Sequence, residues 1–361
     1  AGLIAGVALR DGHVTFTVEV PAERGPSSEP LRKAAEDAVA KLPGVLSVTA
    51  VLTAHRERNP RQSVTPPRRA PGPTHAHNHA GHGHSAAAGA QQPSARPAGV
   101  EGVTSIIAVA SGKGGVGKST VAVNLALGLS ALGLKVGLLD ADIYGPSVPR
   151  LLSIKDKPET DGKKLRPVQK FGIKAMSIGF LVDEETPMIW RGPMVMGALT
   201  QMLTDVDWAP LDVLVVDMPP GTGDAQLTLA QRVPLKGAVI VSTPQDIALI
   251  DARKGLAMFQ KTEVPVLGIV ENMSTFICPH CGHESQIFGH GGARETAHKL
   301  DVDFLGEIPL VPSIRETSDA GQPIVASQPG GAEAQAFLGV ASKVAAKLSA
   351  ATRAAPKIVI E

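Results

Sequence analysis

The sequence predicts an α/β fold: a mostly parallel β-sheet covered by helices on both faces, preceded by a small α/β module and a disordered linker. Three observations carry that expectation. From Val103 onward, apolar runs of strand length such as "VLVV" (213–216) and "AVIVS" (238–242) alternate with segments of helical periodicity. Strands that are apolar throughout belong in a parallel sheet buried on both faces. One such run, "VTSIIAVA" (103–110), leads directly into "SGKGGVGKST" (111–120), where Gly112 to Ser119 satisfy the phosphate-loop pattern G-x-x-x-x-G-K-[ST]. Ahead of both, residues 56–102 are rich in Pro, Gly, Ser, Arg and His, with almost no large apolar side chain. Such a segment cannot bury a core.

Taken in order, residues 1–55 read as a small α/β module, truncated at its start because the chain opens at Ala1 in mid-pattern. "HVTFTVEV" (13–20) and "VLSVTAVL" (45–52) are β-rich. Between them a helix starts at Ser28–Glu29–Pro30 and stops at Pro43–Gly44. Residues 56–102 form the linker. Its five histidines, His75, His77, His79, His82 and His84, have the chemistry for loose metal binding, but the composition is that of a solvated spacer. Residues 103–361 form the phosphate-loop domain. Its strands are expected at 104–110, 135–140, 173–178, 212–217, 237–242, 266–270 and 304–308, and helices at 117–132, 193–204, 246–259 and 331–349. Ligands in such folds bind beyond the carboxyl ends of the strands, and every motif described below falls there.

Composition narrows the function classes. Of 361 residues, 43% are hydrophobic, enough for a sizeable core, and only 3% are aromatic, too few for nucleic-acid stacking platforms. A net charge of +1 provides no field to recruit nucleic acid or an anionic membrane. Only two cysteines occur, so there is no disulfide framework, and neither a signal peptide nor an apolar run of membrane-spanning length is present. A cytoplasmic protein with no nucleic-acid and no membrane partner is expected.

The phosphate loop is read residue by residue. Gly112, Gly114, Gly115 and Gly117 let backbone N–H groups converge on phosphate oxygens, with Val116 and Thr120 completing the stretch. The helix that starts near Lys118 adds its N-terminal dipole. Lys118 is expected on the β- and γ-phosphates and Ser119 on Mg²⁺. "VGLLDADIYGPS" (136–147) ends a strand with Asp140 and Asp142, and "DVLVVDMPPGTGD" (212–224) ends another with Asp217, the expected carboxylate for Mg²⁺. The cysteines form one C-x-x-C, Cys278 and Cys281 in "STFICPHCGHES" (274–285). By residue type it admits a redox dithiol, half a zinc site with help from His280 or His283, or half of an iron–sulfur site.

"KGGVGKST" with its additional Lys113, "DADIYGPSVPR", "DMPPGTGD" and "STPQDIALIDARKG" together resemble the deviant-Walker ATPases of the MinD/ParA group. "WRGPMVMGAL" (190–199), "CPHC" and "IPLVPSIRE" narrow the resemblance to the Mrp/ApbC-type iron–sulfur cluster carrier ATPases. It covers nearly all of 103–350. It implies an ATPase that works as a homodimer, in which Lys113 reaches across to phosphates bound by the other subunit. It also implies that Asp142 positions the attacking water and that Asn272 in "ENM" reads the adenine. The front module resembles a domain of iron–sulfur assembly proteins, although "GPSSEP" lacks the cysteine that related domains often carry.

Within that resemblance the cysteine count becomes informative. One pair supplies two thiolates, whereas a tetrahedral zinc or a four-iron cluster takes four ligands. Two chains of a homodimer supply four. The expectation is a [4Fe–4S] cluster shared between subunits and handed to apo iron–sulfur proteins. The rival is a MinD/ParA-like positioning ATPase with a structural zinc at the dimer interface. It lacks the basic amphipathic end that a membrane binder needs, since "LSAATRAAPKIVIE" breaks at Pro356. Its candidate DNA-binding arginines, at 56–69, lie in the linker.

Overall fold

The computed structural model describes residues 4–10, 13–21, 29–43, 45, 47–55, 99–181 and 192–353. Most of the His-rich linker, Trp190–Arg191 of "WRGPMVMGAL" and the end of the chain around Pro356 lie outside the described residues. The chain divides into two compact units, Ala1–Ala88 and Gly89–Glu361.

In the first unit β1 (Ile4–Arg10) pairs antiparallel with β2 (His13–Pro21), helix α1 (Glu29–Ala40) follows, and β3 (Ser47–His55) lies parallel to β2. Val14 and Phe16 of β2 point to one side and are buried against Ala35 and Val39 of α1 and against Val45 and Val48. The strand β1 was not expected: "IAGVALR" mixes small residues into its alternation, and its pairing with β2 has a register irregularity between Ala5 and Ala8.

The second unit opens with β4 (Val103–Ala110), α2 (Lys118–Ala131), β5 (Val136–Asp140) and the short α3 (Val148–Leu151). An edge hairpin, β6 (Val168–Lys170) and β7 (Ile173–Ser177), precedes α4 (Gly192–Thr204), β8 (Leu211–Asp217) and α5 (Asp224–Arg232). Then come β9 (Gly237–Ser242), α6 (Asp246–Lys261), β10 (Val266–Ile277) and β11 (Glu284–Ser285). The unit closes with α7 (Gly292–Lys299), β12 (Phe304–Leu310), α8 (Pro312–Asp319), α9 (Ile324–Ser327) and α10 (Ala332–Arg353).

These strands form one nine-stranded sheet in the order β11-β10-β9-β4-β8-β5-β7-β6, with β12 also on β10. All described pairings are parallel except the two marginal ones, β10–β11 and β6–β7. The central strands β4, β5, β8 and β9 are almost wholly buried, as their apolar runs require. Helix α2 is buried nearly all round because α9 and α10 pack against it, α10 itself lying on β12 and β10. Among the described residues, no helix is long and apolar enough to cross a membrane.

The topology positions the site. After β4 the chain passes through α2 to β5, and β8 fills the place between them. The carboxyl ends of β4, β8 and β5 are therefore neighbours, and Asp140 and Asp217 stand opposite each other in register.

Candidate functional site

Residues 111–117 leave β4 as an irregular loop and α2 begins at Lys118. Gly117, the residue before the helix, has φ +80°, and no side chain caps α2, so its first N–H groups are open to an anion. A Cβ on Gly117 would fall 2.2 Å from Asn272 Nδ2, so glycine is required there for packing as well as for conformation. The amide of Asn272 donates to the Val116 carbonyl at 2.8 Å and so ties β10 to the loop. Ser111 Oγ donates to the Lys113 carbonyl at 2.8 Å, closing the first turn.

The loop lines an open cavity of about 290 Å³, to which Lys113, Lys118, Ser119 and Thr120 contribute together with Asp142, Ser147 and Pro220. Lys118 is 6% exposed and Asp217 is 0% exposed; Lys118 Nζ lies 2.5 Å from Asp217 Oδ1 and 3.2 Å from Ser119 Oγ. Asp217 Oδ2 is buried without a hydrogen-bond partner among the described residues. Beside it Asp140 accepts from Val148 N, Asp142 N and Ser177 Oγ. Burial first, and then the charge of Asp217, push the Asp140 carboxyl up to about 7. Asp142 is also raised, chiefly by burial, partly offset by Lys118.

This donor set fits a hard divalent cation. Ser119 Oγ, the unpartnered Asp217 Oδ2 and nearby carboxylates are oxygen ligands of the kind Mg²⁺ takes, and the Lys118 ammonium marks a cation-favouring position between two of them.

Cys278 and Cys281 lie elsewhere, in the turn that follows β10. Cys278 N donates to the His283 carbonyl at 3.0 Å and Gly282 N donates to the Cys278 carbonyl at 2.9 Å, which folds the four-residue spacing into a knuckle. Cys278 is half-buried and Cys281 exposed. The backbone N–H of His280, then that of Cys281, then the Cys281 thiol hold the Cys278 thiol below its ordinary range. The strand β10 was expected to stop at Val270, but it continues to Ile277 because β12 and β11 go on pairing with it. One strand thus carries both Asn272 and the knuckle.

The family of ParA-type proteins described as the NUBPL iron-transfer P-loop NTPases matches residues 102–345, more than half of the chain. The chain belongs to this family. An iron–sulfur cluster assembly protein family matches residues 1–51. The mouse iron–sulfur cluster transfer protein NUBPL is 59% identical over 252 residues, covering 69% of this chain and 79% of its own. The Synechocystis iron–sulfur cluster carrier protein is 45% identical over 355 residues, 97% of this chain and 92% of its own. Among solved structures, the ADP-bound nucleotide-binding protein of Archaeoglobus fulgidus is 42% identical, with a TM-score of 0.58. The match covers 66% of this chain and 93% of that one. The Pyrococcus furiosus cell division ATPase MinD, at 23% identity and a TM-score of 0.51, shares the fold. As a NUBPL-type P-loop NTPase, this chain has a nucleotide-binding fold, and the MinD likeness does not reach beyond fold.

Of the loop residues, Lys113, Gly114, Gly115, Gly117, Lys118, Ser119 and Thr120 line one cavity together with Asp142; Gly112 and Val116 do not line it, and Asp217 meets it only through Lys118, while Cys278 and Cys281 form a second, separate cluster. Asn272 is 7% exposed and packs on the loop rather than lining that cavity. Gln226 was missed by sequence reasoning. It is buried on α5, and its Nε2 donates to the Pro219 carbonyl and, at 3.4 Å, to that of Ser111. It thereby joins the loop after β8 to the start of the phosphate loop. A lone glutamine carries no motif, so nothing in the sequence singled it out.

Proposed function

We propose that this protein binds and hydrolyses ATP to control the loading and release of an iron–sulfur cluster, which it carries to apo iron–sulfur proteins. The observation that carries the reading is the paired arrangement of an open phosphate loop and an outward-facing thiol knuckle in a chain of the NUBPL iron-transfer family. The cluster is cargo. A half-buried thiol held towards its thiolate by two backbone N–H groups, beside an exposed second thiol, suits a ligand that must be gained and lost.

In the nucleotide site the N–H groups of 112–117 and the α2 terminus hold the phosphates, and Lys118 neutralises them. Ser119 and Asp217 would hold a Mg²⁺, which would supply charge neutralisation of the phosphate oxygens. Asp142, at the cavity wall, orients a water for attack on the γ-phosphorus; the bond to the β-phosphate oxygen breaks, and ADP and inorganic phosphate result. Lys113 is half-buried at the same cavity, and its backbone carbonyl accepts from Ser111. In the proposed homodimer its ammonium reaches the phosphates of the other subunit. The Oδ1 of Asn272 remains to accept from the amino group of adenine, since Nδ2 is committed to Val116.

Two thiolates per chain make a [4Fe–4S] cluster a property of the dimer, with Cys278 and Cys281 from each subunit. The front module at 1–55 and the linker at 56–102 are accessory to the domain at 103–361, and the setting is cytoplasmic. Anaerobic reconstitution followed by iron and sulfide analysis tests the reading. About four irons and four sulfides per two chains are expected, and Cys278→Ala or Cys281→Ala should abolish both while ADP binding persists. One tightly held zinc per dimer without sulfide would overturn it in favour of a structural metal.

A further inference from the structure

Away from the nucleotide cavity and the thiol knuckle, the structure brings together a third set of side chains that neither site uses. Glu271 of β10 and Glu307 of β12 are register partners on adjacent parallel strands, so their carboxyl groups leave the same face of the sheet. His290 reaches the same place from the loop ahead of α7. One donor atom from each of the three lies within 4.8 Å of the other two, and His290 Nε2 is 3.1 Å from Glu307 Oε2. Glu271 is buried at 0% exposure and forms no ion pair with a lysine or arginine among the described residues. Its oxygens accept from Gly291 N at 2.9 Å and Ala293 N at 2.8 Å, where the start of α7 offers only partial positive charge. Each oxygen keeps a second lone pair. The guanidinium nearest to Glu307, that of Arg294, is 3.8 Å from Oε1 and is drawn over the Phe304 ring, which leaves Oε2 to the cluster. Two carboxyl groups and an imidazole thus converge with little to offset them, and buried carboxylates in that position are met by a counter-ion or a metal.

We propose that Glu271, His290 and Glu307 form a binding site for one divalent first-row transition metal, separate from the phosphate loop and from the cysteines. The donor set is one imidazole nitrogen and two carboxylate oxygens, which suits Mn²⁺, Fe²⁺, Co²⁺ or Zn²⁺, whereas Mg²⁺ and Ca²⁺ take oxygen alone. Ligands about 2.0–2.2 Å from a shared ion stand roughly 3–3.5 Å apart, and His290 Nε2 and Glu307 Oε2 already have that spacing. Glu271 is the fixed ligand, pinned by two backbone N–H groups, while His290 and Glu307 are 36% and 39% exposed and can close on an ion that enters from solvent. The bound ion supplies the cation that Glu271 lacks. It also ties β10, β12 and the start of α7 together on the strand that continues to the knuckle. The competing description is structural: Glu271 only caps α7, and His290 and Glu307 form a surface ion pair.

Mn²⁺ is the probe, because it has little affinity for thiolates and is read directly by electron paramagnetic resonance. The full chain is titrated without nucleotide and in excess Mg²⁺, as the wild type, His290→Ala, Glu307→Gln and the double variant. Both substitutions are at half-exposed positions and leave the hydrogen bonds of Glu271 to α7 in place, so all four proteins should melt together in EDTA. The wild type should bind one Mn²⁺ at least about tenfold more tightly than either single variant, since losing even an outer-shell partner costs that much. Mn²⁺ should raise the melting temperature of the wild type and leave that of the double variant unchanged. Pulsed measurements should show nitrogen-14 modulation from a coordinated imidazole in the wild type and in Glu307→Gln, and none in His290→Ala. Equal Mn²⁺ affinity in the wild type and the double variant overturns the site, as does nitrogen modulation that survives His290→Ala. Loss of wild-type Mn²⁺ binding in excess Mg²⁺ overturns the assignment to a transition metal.

Discussion

Replacing Gly112 with alanine places a methyl group where the start of the phosphate loop lies against helix α6. An ideal Cβ there falls 2.1 Å from the carbonyl carbon of Asp251, 2.2 Å from its oxygen and 2.6 Å from Ala252 N. Carbon–carbon contact is comfortable at about 3.5–4.0 Å, so the methyl is more than an ångström too close to its nearest neighbour. All three atoms are helix backbone, and no rotamer change relieves the overlap. Either the loop or α6 has to move. Overpacking of this kind costs about 1–3 kcal/mol, and each kcal/mol lowers the melting temperature of a domain this size by about 2–4 °C. The same displacement misaligns N–H groups aimed at phosphate, and losing one charge-assisted hydrogen bond reduces ADP affinity by about tenfold or more. Gly114→Ala is the internal control: it belongs to the same motif, has no positive φ, and its Cβ meets only Pro220 Cβ at 4.0 Å. Thermal unfolding and ADP calorimetry on the two variants form the assay. A Gly112→Ala protein that melts with the wild type and binds ADP as tightly as Gly114→Ala refutes the reasoning.

Three further outcomes are expected. Lys113→Ala should bind ADP normally and lose hydrolysis by about 10³-fold, the scale of a cation supplied in trans; unchanged phosphate release would remove the cross-subunit role. Cys278 should react with iodoacetamide along a pH profile centred below the ordinary free-thiol value of about 8.5, because backbone N–H groups favour its thiolate. Site-resolved mass spectrometry reads this, and a midpoint at or above the ordinary value contradicts it. Asp140 is raised to about 7 in the fold, so the native state keeps its proton where the unfolded chain has lost it. Its contribution to stability is complete at pH below about 4 and is lost as the pH rises through about 7. Asp140→Asn should therefore gain stability relative to the wild type over that window, read as urea midpoints; a pH-independent difference would show that Asp140 ionises normally.

Much of the fold was legible because its signals are local. The strand at 237–242 needed only its own apolar run, and the phosphate loop is ten contiguous residues with a strand before and a helix after. What escaped were features set by partners distant in sequence. The continuation of β10 past the polar pair Glu271–Asn272 depends on pairing with β12, whose residues lie more than thirty positions on. The edge strand β6 has three residues and no periodicity to read. Gln226 acquires significance only where two carbonyls from elsewhere converge on it.

The same division runs through the site. The amino-acid sequence by itself determined which groups are available: a glycine-rich loop with two lysines, carboxylates at strand ends, and one cysteine pair. These are matters of residue type and near-neighbour spacing, which the chain states directly. Only the tertiary structure decided that Lys118 rests on Asp217, 99 positions away, and that Asn272 braces the loop from 156 positions away. It also decided that β10 runs from that brace to the thiol knuckle. The physical reason is the parallel sheet, which brings strand ends together only through crossovers. The charges that tune one another at the nucleotide site are therefore neighbours in space and strangers in sequence.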